Sequence, residues 1–154
     1  MIAIGEADLI VLGPGSLYTS IIPNLLVKGI VDAIINANAL KIYICNVMTQ
    51  PGETDGYTAS EHIRELFNHS GGNLFNYSLV NSMQVPPDIL KRYTEDSAKP
   101  VEVDEARIQE MGVKLVHSQI IDTSKNYVRH DSDKLARELL RVFYIKAPTK
   151  RYGG

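Results

Sequence analysis

Three short polar segments hold the residue types that could bind or transform a ligand: Gly13-Pro14-Gly15-Ser16, Asn46 to Tyr57, and Asn81-Ser82. In the first, glycines let backbone N–H groups come close to a ligand. A helix start just beyond would add free N–H groups and the positive end of a dipole. Ser16, Thr19 and Ser20 add hydroxyls. This chemistry suits phosphate, although the spacing is neither that of the Walker loop nor of the dinucleotide fingerprint. A glycine turn followed by an ordinary N-cap uses the same residues. The second segment, Thr49-Gln50-Pro51-Gly52-Glu53-Thr54-Asp55-Gly56-Tyr57, is dense in hydroxyls, carboxylates and glycines. Glu53 and Asp55 are the side chains there that could hold Mg²⁺, orient a sugar hydroxyl or act as a base. The plainer reading is a solvated turn with Asp55 as its local cap.

The four histidines, His62, His69, His117 and His130, have no metal-ligand spacing. His62 reads as a surface helix residue, and His69 as a helix C-terminal residue meeting the dipole. Cys45, the single cysteine, sits in the apolar run Ile42-Tyr43-Ile44-Cys45 and reads as buried and inert. A Ser/His/Asp triad is recognised by geometry, so none is read from these residues.

Loops of this kind need elements to aim them. Leu9 to Leu12 is a continuous apolar run ending at Gly13, the pattern of a strand buried on both faces. A helix follows from near Ser20, capped by Thr19 or Ser20 and split at Lys28-Gly29, and ends about Ala37. Lys41 to Val47 reads as the second strand. Thr58-Ala59-Ser60-Glu61 has capping-box spacing and opens a helix that Gly71-Gly72 ends. Phe75 to Val80 is the third strand. A short helix from Pro86-Pro87 to Tyr93, a loop from Thr94 to Pro100 and a helix from Glu105 to Met111 follow. A strand from Val113 to Ile121 and a helix from Ser132 to Tyr144 complete the pattern. Strands alternating with helices predict a parallel sheet covered by helices, its strand-exit loops on one edge. Ligands bind along that edge in open α/β sheets.

Composition agrees with a globular α/β domain. The chain has 154 residues, 44% hydrophobic and 22% charged, with a formal net charge of -2. No strong field draws in nucleic acid or an anionic membrane. One cysteine cannot build a disulfide framework, so a reducing compartment is expected. No apolar run reaches the length of a membrane span. The start lacks the basic region of a signal peptide, which predicts a cytoplasmic protein. Domain bounds are placed at 1–145, with a basic flexible tail over 146–154.

The run Ala7-Asp8-Leu9-Ile10-Val11-Leu12-Gly13-Pro14-Gly15-Ser16-Leu17-Tyr18-Thr19-Ser20-Ile21-Ile22-Pro23-Asn24-Leu25-Leu26-Val27 resembles the GPGSLYTSIIPNLLV signature of the YvcK-type gluconeogenesis-factor family. Cys45-Asn46-Val47-Met48-Thr49-Gln50-Pro51-Gly52-Glu53-Thr54-Asp55-Gly56-Tyr57-Thr58 resembles the same family's CNVMTQPGETDGYT block. Similarity continues, more weakly, to the helix near Phe143. The family is part of the CofD-like superfamily of 2-phospho-L-lactate transferases.

The resemblance implies a Rossmann-like three-layer fold with a mainly parallel sheet. Family members are about twice as long and begin with a GGGTG-type loop. The chain therefore corresponds to their C-terminal half and lacks the N-terminal glycine-loop half. Lys28 stands where the family would place a proline.

YvcK-type members are associated with UDP-sugar binding, cell shape and growth on gluconeogenic carbon. The resemblance therefore implies a regulatory protein that binds a nucleotide or nucleotide sugar, with no other cofactor and no resident metal. Its phosphate-side candidates are Gly13, Pro14, Gly15, Ser16 and Ser20. Its polar-side candidates are Asn46, Thr49, Glu53, Thr54 and Asp55. The alternative is a phospholactyl transferase acting on a deazaflavin with Mg²⁺, in which Asp55 would be the catalytic carboxylate. A third is an interaction domain without a ligand. The short chain is also expected to pair through an exposed strand edge, as a homo-oligomer.

Overall fold

The structure, a computed structural model, describes residues 2–124 and 127–146. Its centre is a four-stranded sheet of β1 (Leu9–Leu12), β2 (Leu40–Ile44), β3 (Tyr77–Asn81) and β4 (Lys114–Ser118), in the order β1-β2-β3-β4. Every pairing is parallel, with Leu9 opposite Leu40, Ile42 opposite Tyr77, and Tyr77 opposite Lys114. This is the parallel sheet that the strand–helix alternation predicts, in the Rossmann-like α/β architecture that the resemblance implies.

Sequence order equals spatial order, so the sheet advances in one direction. Right-handed crossovers then place all the connecting helices on one face. The connecting helices that pack into the core there are α2 (Ile22–Leu25), α3 (Ile30–Asn36), α4 (Ala59–Ser70) and α6 (Glu105–Glu110). Leu25, Ile34, Ile63, Leu66 and Ile108 pack with Leu12, Tyr43, Cys45 and Val80 into one core. The opposite face is covered by α7 (Ser132–Lys146), whose Leu135 and Val142 pack on Ile42, Ile44 and Leu79. Alternate β2 residues feed opposite cores, as the two-residue period of a strand requires. Two further helices, α1 (Ile2–Glu6) and α5 (Pro87–Glu95), flank this frame.

Local signals explain most element ends. Thr58 accepts from the Glu61 N–H while Glu61 reaches back to the Thr58 N–H, which is the capping box its spacing predicts. Gly71 ends α4 at φ 72°. Gly29 is the N-cap of α3, left-handed at φ 85°.

Some expectations are corrected. β1 is an edge strand, not a strand buried on both faces, and Val11 is 36% exposed. The strand expected over Val113 to Ile121 breaks after Ser118. Ile121–Asp122 (β5) instead pairs antiparallel with Arg129–His130 (β6) in a separate hairpin. The reason is spatial: β4 ends with the sheet, and the chain turns back to reach α7. Lys146 is the last residue of α7, and the rest of the expected tail lies outside the described residues. Among the described residues, no single helix is long and apolar enough to cross a membrane.

Candidate ligand-binding cleft

At the exit of β1, Gly13 takes φ +85° and is joined to Pro14 by a cis peptide. A Cβ on Gly13 would lie 3.1 Å from the Ile44 carbonyl and 3.2 Å from Ile21 Cδ1. Glycine is needed there because the backbone is left-handed and the β2 carbonyl of Ile44 leaves a Cβ no room. The chain then enters a π-helical turn, Leu17–Ile21, whose first carbonyl acceptor is Ser16; it takes the N–H groups of Ser20 and Ile21 at 2.9 and 3.0 Å. The helix therefore begins after Ser16, four residues before the expected Ser20. The proline at Pro23 is accommodated because Ile22 opens a new helical segment there.

At the exit of β2, the loop largely supports itself. Thr54 is fully buried, and its hydroxyl accepts from the Gln50 N–H at 2.9 Å. Gln50 O accepts from the Glu53 and Thr54 N–H groups at 3.0 and 2.9 Å. Asp55 Oδ2 accepts from the Gly52 N–H at 2.8 Å. Thr49 ties the loop to the segment before residue 100: its N–H donates to Lys99 O at 2.7 Å and its hydroxyl accepts from the Lys99 N–H at 2.9 Å. Across to the first loop, Gln50 Nε2 donates to Ser16 Oγ at 2.8 Å and Thr19 donates to Glu53 Oε1 at 3.4 Å.

The strand exits open onto two adjoining cavities that share Asn46 and Val47. One, of about 600 Å³, is the more polar of the two. Pro14, Gly15 and Ser16 form one wall, Thr49, Gln50 and Glu53 another, and Tyr93, Arg129 and His130 a third. The other, of about 450 Å³, is mainly apolar, lined by Val47, Val80, Met83, Val85, Leu90 and Val101 with Asn81, Ser82 and Gln84. Asn81 shapes its mouth by closing a turn onto both the N–H and the carbonyl of Met83.

The expected site residues therefore divide. Pro14, Gly15, Ser16, Asn46, Thr49 and Glu53 line the polar cavity. Gly13 and Ser20 lie behind it, on a groove beside β1. Thr54 and Asp55 line neither cavity; their polar atoms are used inside their own loop.

Arg129, His130, Gln50 and Tyr93 were not on the list of candidates. Arg129 is exposed, its guanidinium carbon 5.8 Å from the Tyr127 ring centroid, and no carboxylate among the described residues pairs with it. The Tyr93 hydroxyl accepts from the Val128 N–H at 3.0 Å and so holds the strand carrying Arg129. Burial pushes the His130 imidazole below its ordinary range, with the Cys45 backbone opposing that shift. Three atoms of this wall set are buried without a partner among the described residues: Gln50 Oε1, Glu53 Oε2 and His130 Nε2.

His62 is not the surface residue its position predicts. It is 0% exposed, edge-on to Tyr57 with ring centroids 5.6 Å apart, and lines neither cavity. Burial pushes its imidazole below the ordinary range, partly offset by the Thr58 backbone. His69 is exposed at the end of α4, with Nδ1 2.8 Å from Glu65 O. Cys45 is buried, and burial drives its thiol up to about 12, so it is inert at neutral pH.

The transferase reading requires donors for Mg²⁺. Among the described residues, no three His, Cys, Asp or Glu side chains gather closely enough to hold a metal ion, and Asp55 is turned to Gly52. These residues do not fit a protein-held divalent cation.

Residues 1–121 match the family model described as 2-phospho-L-lactate transferase CofD. The chain is 48% identical over 137 residues to the gluconeogenesis factor of Bacillus subtilis, covering 89% of this chain and 43% of that protein. It is 44% identical over 144 residues to a putative gluconeogenesis factor of Clostridium acetobutylicum, covering 94% and 32%. A crystal structure from Bacillus halodurans superposes with a TM-score of 0.87 at 43% identity, covering 90% of this chain and 45% of that one. The chain thus spans less than half the length of the curated relatives it matches. Its sheet, its strand-exit cleft and a family match over most of its length agree: the chain belongs to the 2-phospho-L-lactate transferase CofD family, and it is similar within that family to gluconeogenesis factors.

Proposed function

We propose that the chain is a nucleotide-sugar-binding regulatory protein of the gluconeogenesis-factor type, acting in carbon metabolism, cell shape and cell-wall synthesis, with a UDP-linked sugar as ligand. The observation that carries this reading is the polar cavity, with Gly15 and Ser16 on one wall and the unpaired Arg129 on another. Ser16 Oγ accepts from Gln50, so its own hydrogen stays available to a phosphate oxygen. Arg129 supplies a planar guanidinium for the same anion. The adjoining apolar cavity suits a flat base, and the polar one suits a diphosphate and sugar.

The extent of the relatives' similarity favours this over the transferase reading. The transferase family model ends at residue 121, before Arg129. The Bacillus subtilis gluconeogenesis factor matches 137 of 154 residues, a span that necessarily includes Arg129. The transferase remains the second reading because of the family match itself. Calorimetry with UDP-glucose on the wild type and Arg129→Ala tests the first reading. Binding that Arg129→Ala weakens supports it; no binding by the wild type overturns it. Product formed from a phospholactyl donor and a deazaflavin would establish the second.

A further inference from the structure

We propose that β1 is an interface strand: two copies of this chain join edge to edge along it, about a twofold axis normal to the sheet, with their α7 helices meeting on one face. The proposal is independent of the ligand reading. Among the described residues, β1 and β4 each pair with a strand on one side only, so both leave a row of backbone N–H and C=O groups open. The two edges differ in how they are guarded. β4 carries exposed Lys114 and His117, and a lysine on an edge is one of the devices that keep strands from pairing. β1 is Leu9-Ile10-Val11-Leu12, with neither charge nor proline.

The α7 side of β1 is bare as well. Alternate strand residues share a face, so Leu9 and Val11 point the same way. Leu9 packs on the cluster that holds Leu135 and Val142 of α7, whereas Val11 stays exposed. The basic flank of α7, with Lys134, Arg137 and Arg141, borders a groove with Ser118 of β4. At about 100° per residue, Ala136, Leu140 and Tyr144 form the flank on the other side of the buried stripe, and so the one toward β1. Leu140 is 53% and Tyr144 81% exposed. An apolar stripe beside an unguarded apolar strand marks an interaction surface.

A second copy fits it. Val11, Ala136, Leu140 and Tyr144 are uncharged, so the partner must present apolar surface at the matching places, as an identical patch does. Identical patches close on each other about a twofold axis. An axis normal to the sheet runs the two β1 strands antiparallel, the stronger pairing per residue, and brings Val11 and the bare flank of α7 from both copies to the same face of the joint. Two four-stranded sheets become one continuous sheet. The formal net charge of -2 per chain opposes this only weakly.

The test is size-exclusion chromatography with light scattering on the whole 154-residue chain. The wild type should run at twice the mass of one chain and dissociate on dilution. Val11→Lys sets like charges across the axis and should leave monomer alone at the same concentration. Leu140→Glu should raise the dissociation constant by roughly 10- to 100-fold, the worth of one buried leucine. Lys114→Glu, on the opposite edge, should leave the dimer unchanged. Circular dichroism of all three should match the wild type, because each side chain is exposed. A wild type that stays monomeric overturns the proposal, and so do species larger than a dimer, since a twofold contact closes at two. A dimer that survives both Val11→Lys and Leu140→Glu overturns it by placing the contact elsewhere. A chain that is monomeric alone but pairs with the unmatched portion of the Bacillus subtilis gluconeogenesis factor, when the two are co-expressed, overturns it by giving the edge to a different polypeptide.

Discussion

The loop 49–57 and the hairpin strand β6 border the same cavity but use their polar groups differently. The loop is rich in hydroxyls and carboxylates, and most of them are consumed internally. Thr54 holds Gln50, Asp55 holds Gly52, and Thr49 holds Lys99. The hairpin strand is only Arg129–His130, yet it brings the cavity a cation with no carboxylate partner among the described residues and a ring nitrogen with no partner. Density of polar residues therefore measures how much a loop must support itself. What that support leaves over is a small remainder of buried atoms without a partner among the described residues. In the loop this remainder is Gln50 Oε1 and Glu53 Oε2.

The sharpest way to break this comparison is Arg129→Ala. It should cost about 1.5–3 kcal/mol of UDP-glucose affinity and leave the urea midpoint unchanged, because the side chain is exposed and the Tyr127 ring beneath it is exposed too. An affinity unaltered by titration calorimetry would reduce the hairpin to a connector. Thr54→Val should show the opposite profile. It removes the buried acceptor of the Gln50 N–H, so stability should fall by about 1–3 kcal/mol in urea unfolding. An unchanged midpoint would mean that the loop does not depend on its internal bonds.

Tyr93→Phe should act at second hand. It removes the hydroxyl that holds the Val128 N–H, at about 0.5–1.5 kcal/mol for a neutral hydrogen bond. Because Val128 precedes Arg129, UDP-glucose affinity should drop a few-fold; wild-type affinity in this variant would show that Arg129 needs no tether. Asp55→Asn should do least. The amide oxygen can still accept from the Gly52 N–H, and a surface change of this kind stays within about 0.5 kcal/mol. A large loss of ligand affinity in Asp55→Asn would return this carboxylate to the site.

Much of the architecture was legible in the residues. Short apolar runs such as Leu9 to Leu12 and Ile42 to Cys45, spaced by helical patterns, are strands of a parallel sheet. The Thr58–Glu61 capping box and Gly71 bracket α4 as their chemistry dictates. The shared edge of the strand exits was foreseeable too, because parallel strands put their exits on one side. The exposed face of β1 was not, because an apolar run reads alike in a central strand and at an edge; only neighbours decide burial.

The amino-acid sequence by itself determined the elements, their caps and the Gly13-Pro14-Gly15-Ser16 and 49–57 loops, because capping, turn geometry and hydrophobic period act between residues close along the chain. Only the tertiary structure decided which polar atoms remain free. Asp55 and Glu53 are two residues apart and chemically alike, yet one carboxylate accepts a backbone N–H and the other keeps an oxygen buried without a partner among the described residues. Arg129 is far from both loops along the chain and joins them because the hairpin turns back after β4 and Tyr93 holds the Val128 N–H. Hydrogen-bond satisfaction is settled by three-dimensional neighbours, and no local pattern of residue types encodes it.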